Sequence, residues 1–175
     1  MLKKNIWDLH RDTVDEYRHK GKLPVVAILD NIRSLNNIGS VFRTSDAFLV
    51  ERIMLCGITA TPPSAEIHKT ALGAEDSVMW EYYENTLDCI AELKRNGYEI
   101  CVLEQVKGSV ALNDFVPDKG KKYAIVAGHE VNGVDQRVVD QADVCIEIPQ
   151  CGTKHSLNVS VSTGIALWHF FSALR

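Results

Sequence analysis

A chain of 175 residues, 46% hydrophobic and 24% charged, is long enough to bury a substantial core within one domain. Its net charge of −4 argues against a protein that coats nucleic acid by charge alone. No apolar run approaches the ~18 residues of a membrane span, and the opening MLKKNIWDLHRD lacks the apolar stretch of a secretory signal, so neither a membrane protein nor an exported one is expected.

Residues 5–20 read as a mostly polar helix with Ile6, Leu9, Val14 and Tyr17 as a thin apolar stripe. Leu23–Leu29 (LPVVAIL) is a buried strand by length and β-branching. Asn36–Leu49 follows as a helix, with Asn36 and Asn37 as its start and Ile38, Val41, Phe42, Phe48 and Leu49 as a core-facing stripe. Gly39 in its first turn suggests a close approach by a partner subunit or a phosphate. Arg52–Leu55 is a strand, Ala65–Leu72 a helix and Ser77–Tyr83 strand-like. Thr86–Arg95 is a helix stopped by Asn96-Gly97. Strands at Tyr98–Leu103, Tyr123–Ala127 and Val144–Ile148 come next, with a short helix at Val134–Gln141 between the last two. Leu157–Ala173 closes the chain as a long apolar helix.

Short apolar strands alternating with helices specify an α/β fold, a mainly parallel sheet flanked by helices on both faces. Ligands in such sheets bind beyond the carboxyl ends of the strands. Three loops there combine glycine with polar groups: the stretch after LPVVAILD, then GHEVNGVD (128–135), then IPQCGTKHSLNVS (148–160). Each residue alone has a bland reading: Gly128 and Gly133 as turn glycines, Glu130 as a surface charge, Ser156 and Asn158 as helix-start residues, Arg43 as a solvated cation. Neither GxGxxG nor GxxxxGK[ST] occurs, which disfavours a dinucleotide site or an NTPase. The five cysteines are odd in number and show no CxxC, so they read as reduced and cytoplasmic. Cys151 and His155 have the spacing of a zinc half-site without a second half.

Together the loops are specific. NNIGSVFRTSDAF (36–48), VAGHEVNGVD (126–135) and IPQCGTKHSLNVSVSTGIAL (148–167) resemble, in order and spacing, the three motifs of the SpoU/TrmH-type RNA 2′-O-ribose methyltransferases of the SPOUT superfamily. HKTALGAEDSVMW (68–80) is similar to that family's middle segment, and the resemblance covers roughly residues 22–173. It implies a C-terminal deep trefoil knot, a homodimer with a shared active site, S-adenosylmethionine as cofactor with S-adenosylhomocysteine as product, no metal, and methyl transfer to a ribose 2′-hydroxyl of tRNA or rRNA. The Asn37–Phe48 helix and the last helix are expected to supply much of the dimer contact.

Carried over by motif, the catalytic set is Arg43, Asn37, Glu130, Ser156 and Asn158. The cofactor would be held largely by backbone at Leu103, Glu104, Ala127, Gly128, Ile148, Gln150, Ser156, Leu157 and Asn158. Gln150 departs from the apolar residue common there. With only 22 residues before the first strand, the chain looks like a single SPOUT domain, 1–175, whose N-terminal helical extension replaces a separate RNA-binding domain. The Lys3–Lys22 segment, with six Lys/Arg against four acids, and Lys119, Lys121 and Lys122 are the candidate RNA-gripping surfaces. A compact core of this kind suits tRNA slightly better than a ribosomal site. The other readings are a catalytically inactive RNA-binding or assembly protein of the same fold, a nucleotide- or flavin-binding α/β domain, and a base methylase.

Overall fold

The computed structural model describes residues 1–5, 8, 9 and 11–175. Seven parallel strands form one sheet: β1 (Leu23–Asp30), β2 (Val50–Cys56), β3 (Trp80–Tyr83), β4 (Tyr98–Leu103), β5 (Val110–Ala111), β6 (Lys122–Ala127) and β7 (Val144–Glu147), in the spatial order β3-β2-β1-β6-β4-β7-β5. Alternation along the strands separates two cores. Val25, Ala27, Leu29, Ile53, Leu55, Tyr123 and Ile125 face α2 (Leu35–Ala47), α3 (Ala65–Ala71) and α7 (Val159–Leu174). Val26, Ile28, Met54, Ile100, Val102, Ala124 and Val126 face α5 (Thr86–Arg95) and α6 (Gln136–Val139). Strands buried on both faces explain the uninterrupted apolar runs. No helix among the described residues is long and apolar enough to cross a membrane.

Several boundaries differ from the sequence expectation, each for a local reason. Ile6, part of the expected N-terminal stripe, lies outside the described residues. Among the described ones the α-helix in this region is α1 (Val14–His19). A capping box starts it at Thr13: Glu16 N–H donates to Thr13 Oγ1 (3.3 Å) while Glu16 Oε2 accepts from Thr13 N (2.8 Å). Tyr17 is its buried anchor, and Val14 points to solvent. The strand expected from Ser77 begins at Trp80, because a further helical turn, α4 (Ala74–Ser77), precedes it. The two-residue β5 is too short to leave a periodic signal. α2 is capped by Ser34, whose Oγ accepts from Asn37 N at 3.3 Å, rather than starting at Asn36 or Asn37.

Gly39 serves the interior. It is buried, and a Cβ there would lie 2.1 Å from Thr70 Oγ1 and 2.3 Å from the Ile67 carbonyl oxygen of α3. The close approach it permits is between two helices of one chain, not to a partner subunit or a phosphate. Gly39→Ala tests this. Mid-helix alanine normally gains about 0.5–1 kcal/mol over glycine, whereas overpacking costs about 1–3 kcal/mol. The clash with a backbone oxygen makes the second term dominate, so calorimetry should show a lower melting temperature, and a higher one would contradict the close-packing account.

Candidate active site

Parallel pairing brings the strand ends together: Leu29 lies beside Ala127, Ala127 beside Leu103, and Leu103 beside Ile146. The three loops of interest leave from this edge. The first, residues 31–34, turns sharply out of β1. Asn31 adopts φ 57°, its Oδ1 accepts from Ile58 N (3.1 Å), and Ile32 N donates to Thr59 Oγ1 (2.9 Å).

The second loop carries Glu130. Its Oε2 accepts from Arg33 N (3.1 Å), and its Oε1 accepts from Ser34 N (2.9 Å) and Asn37 Nδ2 (3.1 Å). Asn37 Oδ1 in turn accepts from Asn158 Nδ2 (3.1 Å), and Asn158 Oδ1 caps α7 through Ser160 N (2.9 Å) and Oγ (2.7 Å). One polar chain, Glu130–Asn37–Asn158, therefore couples all three loops. Burial pushes the Glu130 carboxyl up, but the Arg33 and Ser34 amides and the Asn37 side chain outweigh it and hold it below its ordinary range. The loop itself closes on His129, whose Nδ1 accepts from Val131 N (3.0 Å) and Asn132 N (3.2 Å).

Between the second and third loops and the end of β4 lies a cavity of about 470 Å³, within the range of small-molecule sites. Leu103, Glu104, Ala127, Gly128, Ile148, Gln150, Ser156 and Leu157, all expected from sequence, line it, as does Glu130. Asn158 does not line it and bonds to Asn37 instead. Its charged lining is Glu104, Glu130 and Glu147, with no lysine or arginine. Sequence reasoning missed Ser34, which its position three residues before Asn37 could have flagged as a cap. It also missed Gln105, whose Nε2 donates to His155 O (2.8 Å), a contact between residues 50 apart that leaves no local pattern.

Arg43 does not join this cluster. It is exposed, and its side chain makes no hydrogen bond or ion pair among the described residues. Six residues along α2 place it about 9 Å further along the axis than Asn37 and about 120° around it. Lys22 and Lys122, from the two expected basic surfaces, lie away from the site. Lys22 precedes β1 and Lys122 begins β6, so these two lysines sit at the amino ends of their strands, about six residues or 20 Å from the carboxyl edge. Several of these charges are also engaged locally: Lys20 with Asp12, Lys22 over the Tyr17 ring, Lys121 with Glu99 (2.6 Å), and Lys122 over Tyr98 (5.2 Å). Cys151 and His155 recruit no third ligand, since no group of three or more metal-ligating side chains forms among the described residues.

Residues 24–168 match the family described as the SpoU rRNA Methylase family. The chain is 32% identical to the tRNA (guanosine(18)-2′-O)-methyltransferase of Aquifex aeolicus over 154 residues, covering 87% of this chain and 71% of that one. It is 30% identical to the 23S rRNA (guanosine-2′-O-)-methyltransferase RlmB of Neisseria meningitidis, covering 90% of this chain and 62% of that one. The crystal structure of an AdoMet-bound rRNA methyltransferase from Sinorhizobium meliloti superposes with a TM-score of 0.80 at 28% identity, over 93% of this chain and 60% of that one. The chain thus spans about three-fifths of the length of the last two.

The lowered pKa of Glu130 has a signed consequence. A group whose folded pKa lies below its unfolded value of about 4.5 contributes stability above that value and loses it as pH falls through the folded one. Glu130→Gln places an NH2 against backbone donors, so it should lower the melting temperature at pH 7. That deficit should shrink as pH falls below about 4.5. A deficit that stays constant down to pH 3 would remove Glu130 from the coupling of the loops.

Proposed function

The chain belongs to the SpoU rRNA methylase family, and from that premise we propose that it transfers a methyl group from S-adenosylmethionine to a ribose 2′-hydroxyl of tRNA or rRNA. The observation that carries the reading is the charge of the cavity. Three carboxylates and no cationic side chain suit a ligand bearing a sulfonium and an ammonium, and repel the phosphates of a dinucleotide or flavin. Leu103, Ala127, Ile146, Ile148 and Leu157 give it the apolar floor an adenine ring needs. When bound, S-adenosylmethionine supplies a methyl group on a good, neutral leaving group.

The chain's own residues have the harder task, making a ribose hydroxyl nucleophilic and holding it in place. Glu130 is not the base. Its oxygens already accept three hydrogen bonds and its acidity is increased, so it fixes loops instead of taking a proton. An arginine stays protonated at neutral pH and offers five donors, which assigns Arg43 the stabilisation of developing alkoxide charge. Asn37 and Asn158 hold the entrance of α2 and the start of α7 in fixed relation, and Ser156 faces the cavity to orient substrate.

Arg43 reaches substrate in a homodimer, where α2 and α7 of one copy meet those of the other. An unpartnered apolar stripe on and just before α7 supports this: Leu157, Val161, Ile165 and Trp168 are 38%, 50%, 39% and 55% exposed. The trefoil knot has topological support. β7 lies between β4 and β5 although β5 precedes β6 in the chain, so residues 104–121 pass around it. The chain enters β7 from the α6 face and leaves it for the α7 face.

Incubation with labelled S-adenosylmethionine and tRNA or rRNA from a strain lacking the gene, followed by nucleoside mass spectrometry, should reveal a 2′-O-methylated nucleoside. No transfer to either pool would overturn the reading. Arg43→Ala should lower transfer about 100- to 1,000-fold while S-adenosylhomocysteine binds as to wild type. Trp168→Glu should convert a dimer to a monomer by light scattering, and a monomeric wild type would contradict the shared-site arrangement.

A further inference from the structure

We propose that Glu104 and Gln105, adjacent at the carboxyl end of β4, are a positioning clasp that registers the second and third site loops against one strand end. The inference rests on the reading of the cavity as a cofactor site.

Glu104 lines that cavity, yet its carboxylate is committed to the chain itself. Oε2 accepts from Val134 N (3.0 Å) and Oε1 from Gln105 N (2.8 Å). Its own backbone N–H donates to Ile146 O (3.1 Å), which ties the residue to β7 as well. The carboxylate reaches Val134 only because residue 133 is glycine: Gly133 has φ +67°, and a Cβ there would come within 2.2 Å of Oε2. Val134 is buried in the α6-side core, so the contact fixes the trailing end of the loop that carries Glu130 four residues earlier. The neighbouring side chain holds the other loop, since Gln105 Nε2 donates to His155 O (2.8 Å), next to Ser156. Residues 150–158 are otherwise exposed throughout, so this bond is a main restraint on where Ser156 and Leu157 sit.

The division of labour among the cavity's carboxylates follows. Glu130 ties its loop to α2, and Glu104 ties the far end of the same loop to the sheet. Neither loop has another side-chain hydrogen bond to β4 or its following turn among the described residues. Loss of the Glu104 contact leaves Val134 N–H without its acceptor and lets the Glu130 loop shift relative to the cavity. A displacement near 1 Å at a reacting centre is worth about 100-fold in rate.

The test uses the full chain. Glu104→Ala should abolish hydrogen-exchange protection at the Val134 amide. It should weaken S-adenosylhomocysteine binding by about tenfold, the equivalent of one charge-assisted hydrogen bond. It should also lower kcat with the RNA KM unchanged. Glu104→Gln, whose single side-chain oxygen can serve one of the two amides, should fall between it and wild type. Gln105→Ala should weaken S-adenosylhomocysteine binding and leave Val134 protected. Adding Gly133→Ala to Glu104→Ala should cost less than the sum of the two, since both remove one contact. Unchanged Val134 protection in Glu104→Ala overturns the clasp, as does wild-type affinity in both Glu104→Ala and Gln105→Ala. The exchange measurement needs no cofactor, so a wild type that binds no S-adenosylhomocysteine overturns the proposed function while the clasp is still decided by exchange.

Discussion

Two backbone amides and one side-chain amide converge on the oxygens of Glu130, and the placement of the other site residues depends on that convergence. The amides of Arg33 and Ser34 belong to the turn that launches α2 from β1. The Ser34 amide is part-buried, and a buried donor without an acceptor costs about 1–3 kcal/mol, so that amide requires an acceptor from elsewhere in the chain. Glu130 supplies it from 96 residues away for Ser34. Asn37 then binds the same carboxylate and passes the constraint to Asn158, which caps α7. Charge is used here as architecture: the carboxylate stays ionised because its partners are donors, and being saturated it is chemically quiet.

The two edges of the sheet differ in character. Its carboxyl edge carries turns with glycine and asparagine in left-handed conformations and side chains that bond across loops. Its amino edge carries lysines paired with carboxylates or resting on tyrosine rings. The two faces are equally distinct. α5 and α6 cover one with a closed core, while α2 and α7 cover the other and leave an apolar stripe at the surface. Phe48, Trp168 and Phe171, with ring centroids 5.2–5.7 Å apart, extend that stripe from α7 onto the end of α2. Arg43, exposed on α2, stands outside the polar cluster of its own chain.

Much of this was legible in the sequence. Continuous apolar runs such as LPVVAIL and YAIVA are what a strand buried on both faces requires, and Asn96-Gly97 stops α5 because glycine accepts the φ of 81° found there. Eight of the nine residues expected to hold the cofactor line the cavity, because each lies at or just after a strand end and parallel pairing brings strand ends to one edge. Local chemistry also explains two misreadings. Thr13 and Glu16 form a capping box that overrides the weak apolar stripe before it, and Ser34 caps α2 where the paired asparagines had drawn attention.

What sequence alone determined was the set of elements, their alternation and the three motif loops, since periodicity, caps and turn residues act over a few positions. Tertiary structure alone decided which partners those loops take. Gly39 faces α3, Arg43 stands apart from Asn37, and Lys22 and Lys122 fall at the edge opposite the site. The Glu104–Val134 and Gln105–His155 contacts join residues 30 and 50 apart. Such contacts depend on the order of strands in the sheet, and strand order is fixed by packing of the whole core, which no local stretch of residues encodes.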